Sequence, residues 1–152
     1  MKANHLTKET IVDYGVKNRN FPEFKIGDTI EVAQKVTEGA KTRIQMFQGI
    51  VIVQHSNGIA STFTVRKIAS NNIGVERIFP YYSENITEIT VVKRGRVRRA
   101  KLTYLRGRVG RATNVQELIL TKDEKAVISA RDAAARTAKA ESEAVEETNV
   151  TE

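Results

Sequence analysis

The chain has no cysteine, no tryptophan and only two prolines, and one stretch of nineteen residues contains no acid at all. The missing cysteine removes disulfides, thiolate nucleophiles and cysteine-based zinc sites together. No apolar run reaches the roughly 18 residues of a membrane helix, and the opening MKANHLTKET lacks the apolar stretch of a secretory signal. A soluble, cytoplasmic protein without a membrane partner is expected, and the Asn-x-Thr sequons at Asn85 and Asn149 are chance matches on that reading. With nine aromatics among 152 residues, the core should be small and aliphatic. That length implies one domain with flanking arms.

The residues of catalysis are equally scarce. His5 and His55 are the only two histidines, too far apart in sequence to suggest a metal pair. Asp28 follows a turn glycine and suits a local backbone cap, and Glu76 stands beside Arg77, where a local ion pair is expected. Gly95, Gly107 and Gly110 fit neither a Walker nor a dinucleotide pattern. No nucleophile has an evident base, so no enzymatic activity, cofactor or metal is expected.

What the chain does have is charge of one sign. From Lys93 to Arg111 it runs KRGRVRRAKLTYLRGRVGR, with seven Arg, two Lys and no acid. The last 32 residues hold eight acids against five bases, which leaves 20 bases and 10 acids, a net +10, in residues 1–120. Such density costs self-repulsion unless a polyanion neutralises it, and nucleic acid is the polyanion that arginine's planar fork matches. Val97, Ala100, Leu102, Leu105 and Val109 allow one side of this arm to dock on the body. Tyr104 either stacks on a base or joins the core.

Along the rest of the chain, Leu6, Ile11, Val12, Tyr14 and Val16 suggest a short N-terminal helix from Thr7. Alternation over Ile30–Val36 predicts a half-buried strand. A second strand starts with Ile44 and Met46 on one face and turns apolar on both faces at Ile50–Val53, with Gly49 a candidate for a bulge or a barrel bend. Asn57-Gly58 signals a type I′ hairpin turn. Three further strands are expected: one carrying Phe63 and Val65, one ending at Pro80, and one, ITEITVVK, leading into the basic stretch. Five strands with no helix between them point to an all-β barrel or sandwich. Residues 121–152, rich in Ala and Glu, are expected to be partly helical and disordered at their acidic end.

FPEFKIGDTIEV, EGAKTRIQMFQGIVI, TFTVRK, GVERIFP and GRVRRAKLTYLRGRVGR, in this order, closely resemble the nineteenth protein of the bacterial large ribosomal subunit, over about residues 20–118. Thr103 stands where that family commonly has an aromatic. The resemblance implies a small SH3-like barrel with irregular arms, bound to large-subunit ribosomal RNA near the small subunit. It also implies contacts with neighbouring large-subunit ribosomal proteins and with small-subunit RNA, in a bridge between subunits. The implied organisation is an N-terminal arm over 1–20, the barrel over 21–93, a basic RNA-binding arm over 94–120 and an extension over 121–152.

The candidate RNA-binding residues of the arm are Lys93, Arg94, Arg96, Arg98, Arg99, Lys101, Tyr104, Arg106, Arg108 and Arg111. On the body they are Arg43, Gln45, Arg66, Lys67 and Arg77, whose alternative roles are local support or pairing with Glu76 or Glu38. Two competing readings are a free-standing RNA-binding factor and a peptide-binding SH3 module. The latter is disfavoured by the basic surface and the lack of tryptophan.

Overall fold

The computed structural model describes residues 16, 19, 21–39, 41–108, 110–121 and, further on, 124, 126–131, 133, 134 and 137. The N-terminal helix expected from Thr7 and the acidic end of the tail lie outside the described residues. The described residues of Phe24–Leu118 belong to one compact unit, and those of Asn18–Glu23 and Ile119–Glu152 to a second.

Five strands build the first unit: β1 (Thr29–Glu38), β2 (Lys41–His55), β3 (Thr62–Ile68), β4 (Gly74–Pro80) and β5 (Ile86–Lys93). They form a single antiparallel sheet in the order β4-β3-β2-β1-β5. This is the mostly-β, SH3-like barrel type of fold that the sequence suggested, although the sheet is not closed by hydrogen bonds between its edge strands β4 and β5. Pro80 ends its strand as expected, since it cannot donate to a ladder.

The alternation in β1 holds over its first half, where Ile30 and Val32 are fully buried, and lapses at Ala33, which is buried as well where the pairing with β5 shifts register. The same alternation in β2 does not lead to burial. Ile44 and Met46 are 60% and 53% exposed, because the β1–β2 hairpin runs past its neighbours. Its β5 flank stops at Gln34↔Ile86 and its β3 flank at Ile50↔Arg66, so among the described residues no strand flanks the far end.

Gly49 stays in register with Ile30 and is not the bulge. Its role is close approach: a Cβ there would lie 2.5 Å from the Arg66 carbonyl oxygen and 2.8 Å from the Val65 side chain. The irregularity falls three residues later, between Val51↔Val65 and Val53↔Thr64, which leaves Ile52 without a partner on β3. The Asn57-Gly58 signal also resolves differently. Gly58 has φ +51°, but Asn57 is not among the described residues of positive φ, and β2 and β3 are joined by a six-residue loop, 56–61, held by Ala60 N–H donating to the Asn57 carbonyl.

The core is less aliphatic than the low aromatic count suggested. Phe24, Phe47, Phe63 and Phe79 are all buried and touch in a chain, with ring centroids 5.1 Å (Phe24–Phe63), 5.4 Å (Phe63–Phe79) and 5.7 Å (Phe47–Phe79) apart. Inward positions on the adjacent strands β2, β3 and β4 bring Phe47, Phe63 and Phe79 together, the segment before β1 adds Phe24, and such ring pairs contribute about 0.5–1.5 kcal/mol each beyond area burial.

In the second unit, Thr121 and Glu124 cap each other. The Thr121 N–H and hydroxyl donate to Glu124 Oε2 at 2.9 Å, and the Glu124 N–H donates to Thr121 Oγ1 at 3.4 Å. This capping box opens a helical stretch in which the described residues from 124 to 137 are helical. The Thr121 bonds hold the Glu124 carboxyl below its ordinary pKa. No described helix is long and apolar enough to cross a membrane.

Candidate nucleic-acid interface

The basic segment leaves β5 at Lys93 and is fastened to the body at once. Asp28, only 2% exposed, accepts from the Lys25 N–H at 2.9 Å, as the local cap its position suggested. It also accepts from Arg94 Nη1 at 3.2 Å and from the Gly95 N–H at 2.8 Å, a tether spanning 66 residues that the sequence did not disclose. A short antiparallel pairing follows, with Arg96 N–H donating to the Gln116 carbonyl and Leu118 N–H to the Arg94 carbonyl, both at 2.8 Å.

The second fastening is apolar. The Ile52 carbonyl accepts the Leu102 N–H at 2.9 Å, at the place where β2 has slipped its register against β3. Leu102 and Leu105 are buried against Ile52, with Val97, Tyr104 and Val115 packed around them. Each fully buried leucine is worth about 1.5–3 kcal/mol in transfer alone. A short 3-10 helix, Thr103–Gly107, carries Leu105 inward while Arg106 and Arg108 stay exposed.

The third fastening is ionic. Arg66 on β3 and Glu76 on β4 are direct cross-strand partners, and Arg66 Nη1 donates to Glu76 Oε1 at 2.8 Å. Gly74 makes room for this, because a Cβ there would run into the Arg66 guanidinium. Arg106 reaches the same carboxylate through Nε and Nη2 at 2.9–3.1 Å. The Arg106 hydrogen bonds, reinforced by Arg66 and opposed by desolvation, hold the Glu76 carboxyl below its ordinary pKa. Glu76 therefore pairs with Arg66 and Arg106, not with the adjacent Arg77 that its position in sequence suggested.

These fastenings sort the candidate residues. Arg43 pairs with Glu38 at 2.7 Å on the exposed hairpin, where Gln45 is also exposed. Arg77 donates to Gln34 Oε1 at 2.7 Å and lies over the Phe47 and Phe79 rings at 5.4 and 5.5 Å, a supporting position. Lys67 is exposed, with its ammonium 5.9 Å from the Phe47 ring centroid. Lys93 stands 3.8 Å from Glu117. Arg99 and Arg108 lie over the Tyr104 ring at 5.3 and 4.5 Å, so Tyr104 joins the core while its face holds two guanidiniums. Arg96, Arg98, Lys101 and Arg111 are exposed and pair with no described acid.

Residues from β1, β2, β3 and the basic segment together line a cleft of about 570 Å3, to which Arg66, Lys67, Lys93 and Arg94 contribute. Among the described residues no group of three or more His, Cys, Asp or Glu is placed to hold a metal ion.

The sequence matches the family Ribosomal protein L19 over residues 5–118, a span that includes every fastening just described and reaches back into the N-terminal arm. The chain belongs to this family. Among relatives named large ribosomal subunit protein bL19, those of Campylobacter jejuni (strain RM1221) and Campylobacter lari are 55% and 56% identical over 103 residues, 68% of this chain and 87% of theirs. That of Aliarcobacter butzleri is 50% identical over the same length. Family membership makes the chain a structural, non-enzymatic protein of the large ribosomal subunit, placed in the ribosome of the bacterial cytoplasm. The family match ends at Leu118, where the compact unit of the sheet and basic segment also ends.

Proposed function

We propose that the protein binds large-subunit ribosomal RNA through the segment 94–120, which the barrel of residues 21–93 holds in a fixed shape. One observation carries this reading. Arg96, Arg98, Arg99, Lys101, Arg108 and Arg111 are all exposed on a segment fastened at Asp28, at Ile52 and, through Arg106, at Glu76. Cations on a fixed scaffold meet phosphates without the entropy of ordering a loose chain. A-form RNA hides its base edges in a deep major groove, so a fixed pattern of guanidiniums reads phosphate positions and shape.

The location near the small subunit, the contacts with neighbouring large-subunit proteins and with small-subunit RNA in an intersubunit bridge follow from the family resemblance. The exposed end of the β1–β2 hairpin, with Arg43, Gln45, Ile44 and Met46, supports a contact beyond the RNA that the basic segment grips. The N-terminal arm, 1–20, and the extension, 121–152, are assigned no RNA contact.

The test is reconstitution. Large subunits assembled without this protein should recover it from solution and retain it through a high-salt wash. They should join small subunits at reduced magnesium less readily when it is absent. A chain that never enters the large subunit overturns the reading, and normal subunit joining in its absence overturns the bridge.

A further inference from the structure

We infer that the 570 Å3 cleft accepts one unstacked nucleobase of the bound RNA, an inference that rests on the RNA-binding reading above. The volume lies within the roughly 300–1,000 Å3 of clefts that enclose small-molecule ligands. Ile50, Ile68, Leu105 and Val115 supply apolar lining for a flat ring. Gln48 and Asn114 supply primary amides, each with an acceptor and two donors, the complement of a base edge.

The charge distribution favours a base over a bare phosphate. Arg66 and Arg94 line the cleft, but Glu76 and Asp28 neutralise them at 2.8 and 3.2 Å. The cations left are Lys67, which pairs with no described acid, and Lys93, loosely placed 3.8 Å from Glu117. These two serve the phosphates that flank an inserted nucleotide. Sequence-specific RNA recognition commonly works on unstacked bases of this kind.

The cleft is also formed before any ligand arrives. Arg66 is locked to β4 through Glu76, and Arg94 is locked to the turn before β1 through Asp28, so walls from distant parts of the sequence are fixed independently. A preformed site avoids the ordering cost of binding.

Two measurements test this. In the first, the nitrogen-labelled full chain is titrated with uridine, cytidine, adenosine and guanosine monophosphates, with inorganic phosphate as control. Amide shifts at Gln48, Ile50, Ile68 and Asn114 are expected with at least one nucleotide and not with phosphate. Shifts confined to the exposed arginines, or identical with phosphate alone, overturn the inference.

The second fills the cleft with Asn114→Trp. Affinity for protein-free large-subunit RNA should fall about tenfold while most of its salt dependence is retained, because the exposed arginines of the arm are untouched and only the phosphate contacts of Lys67 and Lys93 are lost with the inserted nucleotide. Unchanged affinity in a variant with the native melting temperature overturns the cleft. If the native chain fails to bind the RNA at all, the underlying reading falls instead. Should Asn114→Trp unfold, the nucleotide titration of the native chain decides alone.

Discussion

Glu76 and Arg106 meet through three hydrogen bonds across 30 residues of sequence, and Arg66 completes the group from the neighbouring strand. Two arginines that composition alone would assign to RNA thereby become the clasp that shapes the RNA-binding segment. Exposed ion pairs are worth about 0–1 kcal/mol, but Glu76 serves two cations and Arg66 is largely buried. Glu76→Ala should lower stability by roughly 1–3 kcal/mol, because it leaves Arg66 buried without its partner. Urea unfolding measures the loss, and hydrogen exchange at Leu105 should rise alongside it.

The same group sets an acid limit. The Glu76 carboxyl titrates below its ordinary 4.5, so the folded state holds the ionised form more tightly than the unfolded chain does. Its contribution is complete above about pH 4.5 and is lost as pH falls through the lowered value. Melting temperature should therefore drop on acidification below that point, and the drop should be smaller in Glu76→Gln. An equal drop in both proteins would assign acid sensitivity elsewhere.

Asp28 presents the larger single risk to the fold. It is a buried carboxylate with an arginine and two backbone donors, and breaking a buried pair by removing one side costs about 3–5 kcal/mol. Asp28→Ala should approach global unfolding, whereas Arg43→Ala, which removes only the exposed pair with Glu38, should shift stability by less than about 1 kcal/mol. Thermal melts of the two variants side by side check the contrast.

Clasp and grip are separable by mutation. Neutralising Arg96, Arg98, Lys101 and Arg111, which pair with no described acid, should leave the melting temperature near native. It should reduce the slope of log affinity against log salt by about 0.7–0.9 for each phosphate no longer neutralised. Arg106→Gln should do the reverse, costing stability first. RNA binding at three salt concentrations, with a melt of each variant, distinguishes them.

Tyr104 separates ring from hydroxyl. Tyr104→Phe keeps the surface over which Arg99 and Arg108 lie, and should bind RNA within about twofold of native. Tyr104→Leu removes the ring and frees both guanidiniums, with an expected weakening of RNA affinity by about 0.5–1 kcal/mol per cation–ring pair. Equal behaviour of the two variants would remove the ring from the mechanism.

Much of this architecture was legible along the chain. Period-two alternation located β1, β3 and the start of β2, and Pro80 marked the end of β4, because these features act over a few residues. The exposure of Ile44 and Met46 was not legible: alternation tells which face a side chain takes, and only the neighbouring strands tell whether that face is covered. Gly49 was a sound signal for an unusual backbone position but an ambiguous one, since close approach and a bulge both call for glycine. The Asp28–Arg94 tether left no local trace.

The amino-acid order alone established the all-β class, the concentration of positive charge between Lys93 and Arg111, and the family, because each depends on residue type and near-neighbour spacing. Only the tertiary structure decided which of those cations face outward. Charge is a property of a side chain, but its availability to a phosphate depends on whether a distant carboxylate such as Asp28 or Glu76 has been folded against it.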